Sequence, residues 1–395
     1  MHKSLAALVT SLGLFLGAAA WAVDKEPPAK TADGSQAAEW KGRAVLTSSA
    51  EVVLREQPDE HAALSPVSPV GIWLNVDRVR GEWLGTDLGW VRATDVVRDD
   101  QAIEYFTSRL VQGETGFIYI CRSRAWLRQK EFDKALADQS EALRLDPRNP
   151  RAYFAAAKIA EAQQRSGDEL ANYDRVLELD PRDAIASRRR GYLFAGRGEY
   201  DRAISDYNVA VAQCPKDSWL ISARGSCWES KGDYGSTLAD YSQAIQLDPL
   251  NAMMRYRRAA LYFRQMEFAR AEVDADEAIR LDPKLAHAFA LRGAARASKG
   301  DLDAALSDLD DAVRLGLNDA GVYADRGQVH DRMAQYDAAL SDYTQAISLN
   351  GDSADVYYRR AQLWAKTGND ASAVFDLNEY LRLRPQAVEG YVQRG

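Results

Sequence analysis

A mainly α-helical chain is predicted, an α-solenoid of eight 34-residue helix-turn-helix repeats preceded by a small all-β module. Three observations carry this expectation. Residues 116–387 divide into eight consecutive blocks of 34 residues with no insertion or deletion. A Leu-Asp-Pro marker closes four of them, at Leu145-Asp146-Pro147, Leu179-Asp180-Pro181, Leu247-Asp248-Pro249 and Leu281-Asp282-Pro283. Residues 39–98 instead run in short β-branched and aromatic bursts. A fixed period of this size marks a stacked-repeat protein.

Residues 1–22 read as a secretory signal peptide: Lys3, an apolar run from Leu5 to Leu16, then Ala20-Trp21-Ala22 before Val23. The apolar run is short for a membrane span of about 20 residues, and no later segment could cross a bilayer. The expected location is therefore the periplasm or the extracellular space. Residues 23–38 are polar, Pro-containing and without apolar periodicity, as in a flexible linker.

In 39–98, the bursts Ala44-Val45-Leu46, Val52-Val53-Leu54, Ile72 to Val76, Trp83-Leu84-Gly85 and Gly89-Trp90-Val91 predict about five short strands. The residues Val53-Leu54-Arg55-Glu56, Gly81-Glu82-Trp83 and Gly89-Trp90-Val91 resemble those of the bacterial SH3-like barrel. That resemblance implies a module that attaches to cell-wall polymer or to protein. Trp83 and Trp90 could offer a platform, with core packing the expected role for Trp90. In residues 99–115, Ala102, Ile103, Phe106 and Leu110 fall on one helical face, as in a helix that covers the open end of the array.

Each block reads as two helices. Gly198, Gly232, Gly300 and Gly368 close first helices, where a left-handed residue ends a helix at low cost. Prolines such as Pro147, Pro181, Pro215 and Pro385 end second helices. Small residues recur where helices cross: Ser123, Ala157, Gly191, Gly225, Ala259, Gly293, Gly327 and Ala361 at one place, and Ala135 and its equivalents at another. Together these residues resemble the tetratricopeptide repeat, which implies a superhelix of helix pairs whose first helices line a groove. Glu169, where alanine is expected, and Gly351, where proline is expected, should distort it locally. Residues 388–395 match the opening of a ninth block.

One covariation goes beyond the generic repeat. Arg122, Arg190, Arg224, Arg258, Arg292, Arg326 and Arg360 recur in first helices, and Asp138, Asp206, Asp240, Asp274, Asp308, Asp342 and Asp376 in second helices. The second block lacks both, having Ala156 and Asn172. Loss of both together places the partners within one block, as structural ion pairs rather than ligand sites.

The resemblance assigns the groove to defined first-helix places. They hold Phe117, Arg124, Arg128, Arg151, Phe154, Lys158, Arg188 and Tyr192 in the first three blocks, then Trp219 and Tyr256. Arginine and aromatic residues dominate binding hot spots. An extended or helical acidic peptide is the expected ligand, against the plainer alternative of a solvated helix face. The family's carboxylate clamp is not expected, because its Asn places hold Arg124, Lys158, Tyr192 and Ser226.

The formal net charge of -8 disfavours nucleic acid as a partner. The three cysteines read as buried free thiols. About nine helical residues separate Cys214 from Cys227, roughly 13 Å along a helix, beyond the ~7 Å limit for a bridge. No histidine or cysteine pair has metal-ligand spacing, and no phosphate loop, nucleophile elbow or CxxC is present, so neither catalysis nor a cofactor is expected. The sequence reads as an exported interaction scaffold. The second reading is an accessory subunit of a cell-envelope enzyme whose SH3-like module holds wall polymer.

Overall fold

The computed structural model describes residues 40–48, 54–59, 73–80, 82–86, 88–113 and 116–395. The expected leader, the linker and the burst at Val52-Val53 lie outside the described residues. The chain divides into two compact units, one running to Pro215 and one from Lys216 to Gly395.

The first unit opens with β1 (Ala44–Thr47), β2 (Trp73–Arg80), β3 (Trp83–Thr86), β4 (Gly89–Arg92) and β5 (Val96–Arg98). They form an antiparallel sheet in the order β4-β3-β2-β1-β5. A register shift between Val76 and Arg78 bends β2, which belongs to two ladders. Alternation along β1 sends consecutive side chains to opposite faces. Val45 enters a core with Leu54, Leu74, Val76, Leu84 and Val91. Leu46 enters a second core on the other face, with Val97, Trp73 and residues of two helices. Trp90 is buried, with Arg78 stacked 5.0 Å from its ring.

Those helices are α1 (Ala102–Val111), which supplies Ala102 and Phe106, and α2 (Phe117–Arg128), which supplies Ile118, Cys121 and Ala125. The β-module therefore has no independent surface toward the first block; the two share one core. The unit continues with α3 (Phe132–Leu145), α4 (Pro150–Ala162), α5 (Ser166–Leu179), α6 (Ala184–Gly196) and α7 (Tyr200–Gln213). The second unit holds α8 (Ser218–Lys231), α9 (Tyr234–Leu247), α10 (Ala252–Arg264), α11 (Phe268–Leu281), α12 (Ala286–Lys299), α13 (Leu302–Arg314), α14 (Ala320–Arg332), α15 (Tyr336–Leu349), α16 (Ala354–Lys366), α17 (Asp370–Leu383) and the short α18 (Val388–Arg394). The helix pairs stack as a solenoid, with one pair per block.

Local chemistry sets the limits of these helices. Asn149, Asp183, Asp217, Asn251 and Asp319 occupy the last place of their blocks, and each side chain accepts a backbone N–H of the next first helix. The turn inside each block is left-handed. Gly198, Gly232, Gly300 and Gly368 take φ of 76°, 80°, 96° and 80° there. The same place in the other four blocks forces Lys130, Gln164, Met266 and Ala334 to φ of 62°, 58°, 63° and 58°.

Neither expected irregularity alters a helix limit. Residue Glu169 lies inside a full-length α5, and α15 ends before Asn350 without proline. The block that does differ is the sixth: Leu317 replaces proline, and left-handed Gly316 (φ 92°) closes α13, with Leu317 N–H donating to Ala312 O at 3.0 Å. Cys121 and Cys227 are buried free thiols, but Cys214 is exposed, because it sits at the end of α7 where the turn leaves the core.

Candidate ligand face

The repeated arginines are committed to the scaffold. Arg122, Arg190, Arg224, Arg258, Arg292, Arg326 and Arg360 each donate from Nε and Nη2 to both oxygens of Asp138, Asp206, Asp240, Asp274, Asp308, Asp342 and Asp376 respectively. All these distances lie between 2.6 and 2.9 Å. Burial of the aspartates and two-point geometry put these among the strong charge-assisted bonds. The third guanidinium nitrogen reaches backwards. Nη1 of Arg190, Arg292 and Arg326 donates to Asp174, Asp276 and Asp310 of the preceding block, at 2.8, 2.6 and 2.9 Å. Arg258 and Arg360 use Ser242 and Thr344 in the same way, at 3.1 and 3.0 Å. Arg122 uses Thr107 on α1 (3.2 Å), so the cap helix stands in for a block. The covariation marks the same-block half of this arrangement, because the backward acceptors change type from block to block.

The ten groove candidates divide. Trp219 and Tyr256 belong to the second unit, where Tyr256 is buried with its ring edge-on to His287 at 6.1 Å. In the first unit, two candidates serve the β-module instead of an open face. Phe117 packs into the core shared with the sheet. Arg128 stacks on Trp73 at 5.0 Å and pairs with Asp99 at 3.4 Å. These are corrections to the groove reading; periodicity within the array carries no information about what docks on its first helix.

Arg124 is the unusual member. It is only 7% exposed. Its carbonyl accepts Trp73 Nε1–H at 3.3 Å, and its guanidinium lies 5.8 Å from the Phe154 ring. It makes no ion pair among the described residues, and burial pulls its pKa down to about 10. Arg151, exposed on the first turn of α4, likewise has no ion pair among the described residues. Lys158 pairs with Glu161, and burial together with Arg189 lowers its pKa. Arg188 and Tyr192 are half-buried on α6. Buried Glu169, contributed by α5, adds an acid that a count of first-helix places omits; burial and nearby Glu161 raise its pKa.

A second polar pattern recurs within each unit, and the sequence reading missed it. An acid, a tyrosine twelve residues on and an arginine sixteen beyond that recur as Glu161-Tyr173-Arg189, Glu229-Tyr241-Arg257 and Asp331-Tyr343-Arg359. In the second set the bonds close. Tyr241 OH meets Glu229 Oε2 at 2.8 Å and Ser226 Oγ at 3.2 Å. Arg257 Nη1 donates to Ser226 at 3.0 Å and Arg264 Nη1 to Glu229 at 3.1 Å. The fixed steps of twelve and sixteen were the available signal, but three occurrences among eight blocks do not stand out against a period of 34.

Among the described residues, no helix is long and apolar enough to cross a membrane. The family model for the tetratricopeptide repeat matches residues 122–181, 170–218, 229–286 and 324–388. A search of curated proteins finds no match. Among solved structures, the chain resembles the APC/C hetero-tetramer Cut9-Hcn1, with 16% identity and a TM-score of 0.50 over 75% of this chain. The match covers 58% of that structure's chain. It also resembles Pseudomonas aeruginosa pilF (18% identity, TM-score 0.48, 54% of this chain and 98% of that one). A third is YrrB, described as a tetratricopeptide protein with an unusual peptide-binding site (20% identity, TM-score 0.40, 47% of this chain and 96% of that one).

Proposed function

Because the chain belongs to the tetratricopeptide repeat family, whose fold is a protein–protein interaction scaffold, we propose that it captures a partner protein by an acidic segment laid on the first helices of its first three blocks. Members of this family are typically non-enzymatic scaffolds. One contrast supports the charge of the ligand. Every ladder arginine holds its own aspartate, whereas Arg124, over the Phe154 ring, and Arg151, three residues before Phe154 on α4, hold none among the described residues. Cations without a local acid beside an aromatic ring suit an acidic, partly apolar segment.

We read the β-module as SH3-like from its strand order and the sharing of β2 between two ladders. Its common core with α1 and α2 makes it a fixed end-piece of the array rather than a tethered recruiter. The protein is read as exported, with Val23 the first residue of the mature chain.

The test is affinity capture from an envelope fraction. Arg151→Glu should release the partner, while Arg144→Glu, on the outer face of α3 and already paired with Glu141 at 2.8 Å, should retain it. Equal capture by both variants would count against the groove. N-terminal sequencing of the exported chain tests the leader.

A further inference from the structure

We propose that α2, α4, α5 and α6 build a subsite for the side-chain carboxylate of a Glu or Asp on the bound segment, with Arg124, Tyr173 and Arg189 as its donors. This rests on the acidic-segment reading above and names the residues that would read the charge.

The observation is a group of buried donors with no acceptor. Arg124 Nε, Tyr173 OH and Arg189 Nε have no hydrogen-bond partner among the described residues. Tyr173 is fully buried and Arg124 nearly so, at 0% and 7% exposure. Arg124 and Tyr173 meet at one ring, Phe154, and Arg189 acts on the Tyr173 hydroxyl. Phe154 has the Arg124 guanidinium 5.8 Å from its centre and the Tyr173 ring edge-on at 5.6 Å. Arg124 and Arg189 both act electrostatically on the Tyr173 hydroxyl, whose pKa burial raises. Buried donors are satisfied almost everywhere in proteins, so three together without an acceptor need an account.

Of the two copies of the acid-tyrosine-arginine set in the second unit, the one at Asp331 leaves the Tyr343 hydroxyl without a partner among the described residues as well, and the one at Glu229 accounts for Tyr173 and Arg189. There Ser226 and Glu229 take the bonds of Tyr241 and Arg257. In the first unit Lys158 stands at the place of Ser226. Lys158 offers no acceptor, and it draws Glu161 into its own ion pair. Arg189 keeps only a long contact to Glu161, 3.4 Å from Nη1. The same substitution that removes the acceptor adds a positive charge. Among the described residues, Lys158 and Arg189 act on Glu161 and Glu169 while Arg151 repels Arg124, and a carboxylate from outside answers both deficits. A neutral amide would supply an acceptor but leave the charge unbalanced.

The experiment uses the full chain and two labelled peptides, five repeats of Glu-Gly and five of Gln-Gly, followed by fluorescence anisotropy. The Glu peptide should bind at least about ten-fold more tightly, and both Tyr173→Phe and Arg124→Met should weaken it by about ten-fold each, the range for a lost bond to a charged group. Tyr173→Phe should leave Tm unchanged or raise it, since the hydroxyl has no acceptor among the described residues. Equal binding of the two peptides, no binding of either, or a fall in Tm with unchanged affinity would each overturn the subsite. So would equal thermal protection by acetate alone, which would indicate a free carboxylate. If Arg151→Glu loses a captured partner while Tyr173→Phe retains it, the subsite is wrong and the groove reading stands.

Discussion

Arg360 grips Asp376 at two points, Nε to Oδ2 at 2.8 Å and Nη2 to Oδ1 at 2.7 Å, with the aspartate side chain 1% exposed. Asp376 serves this arginine alone among the described residues, whereas Asp308 also accepts Arg296 Nη1 at 2.9 Å. Arg360 and Asp376 are therefore the cleaner pair for a double-mutant cycle. Asp376→Ala alone should cost about 3–5 kcal/mol, because it strands a partly buried cation. The coupling energy from urea unfolding should be about 1–3 kcal/mol. A value near zero would remove the ladder as a source of stability.

The left-handed turn offers a gain instead of a loss. Ala334 holds φ at 58° where four equivalent places hold glycine. A non-glycine residue there pays about 1–2 kcal/mol, and glycine returns part of that as chain entropy. Ala334→Gly should raise stability by about 0.5–1 kcal/mol, read as a higher urea midpoint with unchanged slope. Lys130→Gly, Gln164→Gly and Met266→Gly should add nearly independently, as the sites share no partners.

Close helix crossings should be intolerant. A Cβ on Gly225 would lie 2.9 Å from Tyr241 Cε1 and 3.0 Å from Asp240 Cβ. The second of these belongs to a ladder aspartate that cannot move freely. Gly225→Ala should cost about 1–3 kcal/mol by overpacking, seen as a lower Tm.

Asp325 makes stability depend on pH in an unusual direction. Burial raises its carboxyl pKa to about 7, with Arg359 opposing and Asp319 adding to the shift. Between about pH 4 and pH 7 the folded chain keeps a proton that the unfolded chain releases, so this group's contribution declines as pH rises through that window. Asp325→Asn should raise Tm at pH 8 and change it little at pH 4, with a difference of a few kcal/mol at about 1.4 per unit. Equal gains at both pH values would contradict the assignment.

Much of the fold was legible because a repeat writes the same physics eight times. The 34-residue period, the left-handed glycines and the paired arginines and aspartates each state a helix limit or a crossing repeatedly. What occurs once was not legible. The diversion of Phe117 and Arg128 follows from the β-module docking through Trp73, whose indole N–H also reaches the Arg124 carbonyl 51 residues away in the chain. Strand β5 has three residues and no alternation of its own; pairing with β1 defines it. The subsite around Tyr173 was hidden for another reason. Its acceptor is lost through Lys158, a residue that reads simply as a groove cation until Ser226 is seen holding the equivalent bonds.

The backward bonds of Arg122, Arg190, Arg258, Arg292, Arg326 and Arg360 turn each unit into a row of blocks coupled to their predecessors, and Ala156 leaves one coupling out of the first. Where α3 meets α4, the neighbours are held by Ile120, Ala142, Ala152 and Ala155, and by Gln139 Nε2–H donating to Ala152 O at 2.6 Å. In a one-dimensional lattice the softest bond sets where cooperativity breaks. Everything before Pro150, from the sheet through α3, should then exchange its amide hydrogens as one foldon, distinct from the pairs that follow it.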